Sequence, residues 1–316
     1  MADIVITEFM DDEIARELAG SHEVLYEPDL VDRPNDLAAA LPDCRALIVR
    51  NRTRVDGALL DRAPKLRVIG RLGVGLERID LEACKARGVT VCPARGANAV
   101  AVAEYVIAGL LLSYRRAFFA SARVIGGEWP RRELSGLELA GRTLGLIGFG
   151  DIARHVAERA RGLGMSLLAF DPYVAPDDPV WAELQAERTG LDRLLAESHA
   201  ISLHVPLSEE TRHLIGAAAL ARMKPDAVLV NTTRGGVVDE AALVEALQAG
   251  RIGGAVMDVF AEEPLSAEAA ARFDGVPNLI LTPHIAGVTE ESNDRISRVT
   301  IDNVLRVLNR DVEGKP

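Results

Sequence analysis

Hydrophobic positions fall into short runs separated by amphipathic segments along the whole chain. Runs at 4–7, 46–49, 67–69 and 89–92 form a first series; runs at 143–147, 166–170, 200–203, 227–230, 254–257 and 279–281 form a second. These runs are apolar and rich in β-branched residues but too short for helices, so they predict fully buried strands. Helical patterns lie between them, as at 152–163, 240–248 and 290–308. Strand–helix alternation of this kind predicts an α/β chain with parallel sheets covered by helices. A long apolar helix at about 98–119 separates the two series. Its most apolar part, 99–112, contains Glu104 and is too short to cross a bilayer, so it reads as a buried helix. The arginine-containing stretch at 126–132 that follows reads as a surface loop or an oligomer contact.

A length of 316 residues suggests about two domains. Hydrophobic residues at 48% and charged residues at 26% exclude a disordered chain and a disulfide-stapled mini-protein. The net charge of −11 argues against nucleic acid and anionic membrane surfaces as partners. Cys44, Cys84 and Cys92 are odd in number and form no C-x-x-C, which fits a reducing cytoplasm and no metal site. The acidic N-terminus lacks the basic flank and long apolar run of a signal peptide.

The first chemical signal is the turn Gly148-Phe149-Gly150-Asp151-Ile152-Ala153, where an apolar strand runs into G-x-G-x-x-A and then a helix. Gly148 permits the tight turn, Gly150 lets the backbone approach a pyrophosphate, and Ala153 allows close helix packing. The pyrophosphate would sit on the helix N-terminus, where free N–H groups favour an anion. The next predicted strand ends at Asp171, at the spacing of the acid that binds a ribose 2′-hydroxyl. An acid there repels a 2′-phosphate, so the expected cofactor is NAD. Asp151 is awkward beside a diphosphate; it either points to solvent or caps the helix.

Four further segments complete a pattern: His204-Val205-Pro206-Leu207, Asn231-Thr232-Thr233-Arg234-Gly235-Gly236, Asp258-Val259-Phe260-Ala261-Glu262-Glu263-Pro264 and Thr282-Pro283-His284-Ile285-Ala286-Gly287. With the glycine turn they resemble the D-2-hydroxyacid dehydrogenase family, over nearly the whole chain. The resemblance implies two doubly wound parallel-sheet domains. One is a flavodoxin-like substrate domain, 1–97 completed by 286–316. The other is an inserted Rossmann NAD-binding domain, 98–285. It further implies a cleft between them and a homodimer around the long helix. The C-terminal regulatory domain of long phosphoglycerate dehydrogenases has no counterpart after the helical pattern at 290–308, so serine feedback is not expected.

Hydride transfer to a 2-keto acid needs a carboxylate anchor, a proton donor and a held nicotinamide. Arg234 suits the anchor, because guanidinium grips carboxylate through two parallel hydrogen bonds. His284 suits the proton donor, since histidine titrates near neutrality. Glu263 suits the group that orients the imidazole and favours its protonated form, with Glu262 the neighbouring alternative; the family places the acid immediately before the proline. An acid here disfavours formate as substrate. Asp258 resembles the aspartate that holds the nicotinamide carboxamide, and Val205 and Pro206, with His204 beside them, the adenosine side of the cofactor site. Thr211, Thr232, Thr233, Ala286 and Gly287 complete the implied cofactor set. His22, His155, His199 and His213 are read as structural.

For the substrate, the resemblance points to the loop Arg71-Leu72-Gly73-Val74-Gly75, whose backbone N–H groups meet the carboxylate, and to Arg50, Arg52 and Arg71 as contacts for a second anion such as phosphate or sulfonate. The alternative is a solvated basic edge. Glu77-Arg78 departs from the Asp-Asn often found after this loop. The segments around Ile4–Asp11, 49–53 and 70–75 also look like the (S)-sulfolactate dehydrogenases of this family. In (S)-3-sulfolactate the sulfonate arm outranks carboxylate, so the S label describes the spatial arrangement of a D-hydroxy acid. Phosphoglycerate, hydroxypyruvate and glyoxylate stay open as substrates. A catalytically weak generalist reductase and an NAD-sensing binding protein like the C-terminal-binding-protein corepressors stay open as other readings.

Overall fold

The computed structural model describes residues 2–313. The chain divides into two compact units, one running to Asn98 and resuming at Val288, the other formed by Ala99–Gly287.

The first unit holds β1 (Ile4–Ile6), β2 (Val24–Tyr26), β3 (Ala46–Val49), β4 (Val68–Arg71) and β5 (Thr90–Pro93). They form one parallel sheet in the order β2-β1-β3-β4-β5. This is the flavodoxin-like order, in which ligands bind beyond the carboxyl ends of the strands. Ile4, Ile6, Ile48 and Val68 face one core and Val5, Leu47, Val49 and Ile69 the other. Both faces are therefore covered, and the strand residues show no polar alternation. The helix Glu290–Glu313 returns to this unit and packs on β4 and β5 through Ile296, Val304 and Leu308.

The second unit holds β6 (Thr143–Ile147), β7 (Ser166–Phe170), β8 (Ala186–Arg188), β9 (Ala200–Leu203), β10 (Val228–Asn231), β11 (Gly254–Met257) and β12 (Leu279–Leu281). Their order is β12-β11-β10-β9-β6-β7-β8, all parallel. The order reverses between β6 and β9, the switch point at which such sheets bind dinucleotides. The helices Ala99–Arg115 and Asp151–Gly162 pack together on one face, burying Val106, Leu110, Val156 and Ala160.

Two differences from the sequence expectation have physical causes. The long apolar helix stops at Arg115, because Arg116 takes a left-handed backbone conformation (φ 51°) that ends the helix before the short turn Ala117–Phe119. β2 and β8 lay outside the apolar runs. Both are three-residue edge strands, and β8 reads Ala-Glu-Arg with two exposed residues. β2, Val-Leu-Tyr, is apolar but only three residues long and half-buried, and β8 is both short and polar, so neither leaves a periodicity. Among the described residues no helix is long and apolar enough to cross a membrane.

Candidate active site

Every chemical signal in the second unit falls just past the carboxyl end of a parallel strand. Gly148 follows β6, Asp171 β7, His204 β9, Arg234 β10, Asp258 and Glu263 β11, and His284 β12. Open parallel sheets bind their ligands in the crevice outside these strand ends.

The His284 ring is held by Glu263. Nδ1 lies 2.6 Å from the Glu263 carboxylate oxygen Oε2, while Oε1 of the same carboxylate accepts from the Phe260 N–H at 2.8 Å. Glu263 is thus fixed by its own loop before it fixes the imidazole. Nε2 of His284 makes no hydrogen bond within the described chain and is the ring nitrogen left for a ligand. His284 itself sits at φ 53°, a left-handed conformation uncommon for a side-chain-bearing residue.

Asp258 accounts for that conformation. Its carboxylate is 1% exposed and accepts from the Thr282 hydroxyl at 2.6 Å, the Ile285 N–H at 2.8 Å and the Ala286 N–H at 2.8 Å. Its backbone carbonyl accepts from the His284 N–H at 2.8 Å. Three of about four acceptor positions are therefore spent on the loop, leaving one on Oδ2. The Tyr105 hydroxyl meets Thr282 in turn.

Arg234 stands in a turn braced by Asn231. Asn231 Oδ1 accepts from the Thr233 N–H at 3.0 Å and the Thr233 hydroxyl at 2.8 Å, and its Nδ2 donates to the Arg234 carbonyl at 3.0 Å. Gly235 then lies against the backbone of the neighbouring loop. A Cβ there would fall 1.8 Å from the Phe260 carbonyl carbon, so only glycine allows the approach. This packing sets the Arg234 turn against the loop that carries Glu263.

At the other half of the edge, Gly148 adopts φ 87°, and a Cβ on it would strike the His204 carbonyl oxygen at 2.5 Å. The Phe149 N–H donates to Asp171 Oδ2 and the Tyr173 N–H to Asp171 Oδ1, each at 2.8 Å, so Asp171 stabilises the turn as well as facing its rim. Gly150 caps the helix Asp151–Gly162, a Cβ there would meet nothing within 4 Å, and among the described residues the first-turn N–H groups of Asp151 and Ile152 make no hydrogen bond. Asp151 is exposed in that first turn and Gly150, not Asp151, is the cap. Val205, Pro206 and Leu207 form a loop tied by Thr211, whose hydroxyl donates to the Pro206 carbonyl at 2.6 Å. Both ring nitrogens of His204 and the Thr232 hydroxyl are buried without a protein partner. Burial pushes the His204 imidazole down to about 3, so it stays neutral at physiological pH. A glycine cradle, an open helix N-terminus, an acid at the β7 end and buried orphan polar atoms fit a dinucleotide laid along this edge.

In the first unit, Arg71 folds over Gly73, and its Nη1 donates to the Leu72 carbonyl at 2.7 Å. The Gly73 N–H is spent on the Arg71 carbonyl at 2.8 Å, whereas those of Val74 and Gly75 make no hydrogen bond among the described residues. Arg52 is exposed and ion-paired with Asp32. Arg50 is half-buried, donating to the Phe9 carbonyl at 3.3 Å and Asn293 Oδ1 at 3.0 Å. Among the described residues no cluster of three or more histidine, cysteine or acidic side chains could hold a metal ion.

The motifs that contain Asn231 and Thr282, and the segment that contains Glu8, do not by themselves disclose what these side chains hold. Each acts through loop hydrogen bonds made after folding; the available signal was a polar residue just past an apolar strand.

Residues 107–286 match the model of the D-isomer specific 2-hydroxyacid dehydrogenase NAD binding domain. The chain is 53% identical to an (S)-sulfolactate dehydrogenase from Chromohalobacter salexigens, over 98% of this chain and 99% of that protein. It is 36% identical to a hydroxypyruvate reductase from Thermotoga maritima, over 95% and 96% of the two chains. The crystal structure of a D-lactate dehydrogenase from Aquifex aeolicus, complexed with NAD and lactic acid, superposes with a TM-score of 0.83 at 30% identity, covering 98% of this chain and 96% of that one. With the glycine turn, the acid after β7 and the histidine–glutamate pair in place, the chain belongs to the D-isomer specific 2-hydroxyacid dehydrogenases and is an NAD-dependent oxidoreductase.

Proposed function

We propose that the chain interconverts (S)-3-sulfolactate and sulfopyruvate with NAD. In the reductive direction the balance is keto acid plus NADH plus a proton giving hydroxy acid plus NAD. Bound NADH supplies the hydride that reaches C2. Arg234 grips the substrate carboxylate, and the N–H groups of Val74 and Gly75 add neutral donors to it. His284 Nε2 donates the proton to the oxygen that becomes the hydroxyl. Glu263 holds the ring through Nδ1 and so leaves Nε2 facing the substrate. Asp258 positions the histidine loop and offers its remaining acceptor site to the cofactor amide. Arg50, Arg52 and Arg71 receive the second anion.

The observation that carries the anionic-tail reading is Arg50. It is half-buried, and its guanidinium donates to two neutral oxygens, the Phe9 carbonyl and Asn293 Oδ1, so no carboxylate takes its hydrogen bonds. Arg52, already paired with Asp32, is the weaker candidate. The 53% identical relative, named for sulfolactate, supports sulfonate over phosphate. The test is NADH formation from (S)-3-sulfolactate and NAD: turnover of this acid well above that of D-lactate or D-glycerate supports the assignment, and equal rates on all three contradict it.

The reading extends to a cytoplasmic homodimer. The free thiols of Cys44, Cys84 and Cys92 suit a reducing compartment. Phe118, Phe119, Ile125 and Trp129, exposed at 63–88% directly after the long helix, form the apolar surface that a second copy would cover.

Two variants test the residue roles. Glu263→Gln replaces the carboxylate that holds Nδ1 of the ring at 2.6 Å, so the imidazole loses its fixed orientation and the reductive kcat falls by about tenfold or more while NADH binding is retained. An unchanged kcat contradicts the pairing. Asp171→Asn removes the repulsion of a 2′-phosphate, and the NADH over NADPH preference in kcat/KM falls by about tenfold or more. An unchanged ratio places cofactor choice elsewhere.

A further inference from the structure

Glu8 follows β1 and is 3% exposed, a carboxylate buried at the ligand-facing edge of the first unit's sheet. It is not stranded there. Oε1 accepts from the N–H groups of Arg50 and Thr53, both at 2.9 Å, and Oε2 from those of Asn51 at 3.0 Å and Arg52 at 2.8 Å. Four consecutive backbone donors after β3 thus converge on one side chain from the neighbouring strand. Such a concavity of N–H groups is a general anion receptor. Here the chain fills it with its own carboxylate. Burial alone would push the Glu8 carboxyl up; the backbone hydrogen bonds outweigh it and hold the group ionised, below the usual carboxylate range. The Thr7 and Thr53 hydroxyls, 2.7 Å apart, close the turn from below.

The consequence falls on Arg50. Its backbone is clamped by Glu8, and its guanidinium is steered by the Phe9 carbonyl, the Phe9 ring 5.4 Å from its carbon centre, and Asn293. A flexible arginine loses rotamer freedom on binding an anion; one held in place beforehand loses less and selects more sharply. A substrate anion also cannot enter the N–H concavity that Glu8 occupies, so it must be recognised by side chains. We propose that Glu8 is a positioning residue for tail recognition, acting through Arg50 by fixing the 50–53 turn. The proposal rests on the anionic-tail reading of Arg50 given above.

The experiment is a double-mutant cycle with Glu8→Gln and Arg50→Gln, each measured as kcat/KM for sulfopyruvate and for pyruvate with NADH. Glutamine presents an NH2 where two of the four N–H groups need an acceptor, so the turn loosens without a change of size. The sulfopyruvate-over-pyruvate ratio falls tenfold or more in Glu8→Gln, chiefly through the KM for sulfopyruvate, and NADH binding is retained. In the Arg50→Gln background the Glu8 substitution changes the ratio no further. Equal losses on both keto acids, or effects that multiply in the double variant, overturn the proposal. A normal ratio in Glu8→Gln with a reduced one in Arg50→Gln overturns it while sparing the tail reading; a wild-type ratio near one overturns both. Should Glu8→Gln fail to fold, Glu8→Asp, one methylene shorter, gives a smaller loss of the same ratio. A wild-type ratio in that variant overturns the proposal equally.

Discussion

Replacing His284 by glutamine lowers kcat for keto-acid reduction by about 10²- to 10⁴-fold, the usual contribution of a positioned general acid. The imidazole pairs a fixed nitrogen with an open one: Nδ1 is held by Glu263 at 2.6 Å, and Nε2 makes no hydrogen bond among the described residues. Glutamine keeps a polar side chain of similar reach but carries no transferable proton near neutrality. The loop stays in place because it is anchored by Asp258 through the backbone of residues 284–286 and the Thr282 hydroxyl, not by the ring. NADH binding, read by fluorescence, is therefore retained while turnover collapses. Stopped-flow reduction under single-turnover conditions checks this; a chemical step as fast as wild type removes His284 from the proton path.

Arg234→Gln produces the second large loss, about 10²- to 10³-fold in kcat/KM, because the substrate carboxylate loses a charged, two-pronged partner. Arg234→Lys recovers only part of it, since an ammonium is a point charge and cannot make the parallel pair. The loss is specific to this side chain. The turn is held chiefly by Asn231 and by the Gly235 contact with Phe260, and the guanidinium adds one bond, from Nη1 to the Thr233 carbonyl at 2.6 Å. A variant with wild-type kcat/KM on every 2-keto acid contradicts the anchor role.

Much of this was legible in the chain. The buried strands announced themselves as apolar runs because parallel sheets covered on both faces leave no polar positions to interrupt them. The edge strands Val24–Tyr26 and Ala186–Arg188 were silent for the complementary reason: a short, half-solvated strand looks like loop. The Gly148–Gly150 turn and Asp171 were readable as a motif at a characteristic spacing, whereas the histidine–glutamate pair, 21 residues apart, followed from the family resemblance. The supports of the site were not readable. Glu8 meets residues 42 to 45 positions away, and Asp258 meets partners 24 to 28 positions away. Such pairings exist only once the sheet order brings one strand end beside another. The unequal standing of Arg50 and Arg52 was hidden for the same reason: Asp32 and Asn293, which distinguish them, are remote in sequence.

The proposed selection of a keto acid with a second negative charge rests on the arginines of the first unit, and kcat/KM by NADH oxidation across sulfopyruvate, phosphohydroxypyruvate, hydroxypyruvate, glyoxylate and pyruvate tests it directly. Sulfopyruvate is expected to lead the uncharged-tail substrates by about a hundredfold or more, an interaction of roughly 3 kcal/mol in the transition state. A flat, slow profile across all five would contradict it and leave Arg50 an ordinary surface residue; NADH binding with no turnover at all would point instead to an NAD-sensing protein on the same fold.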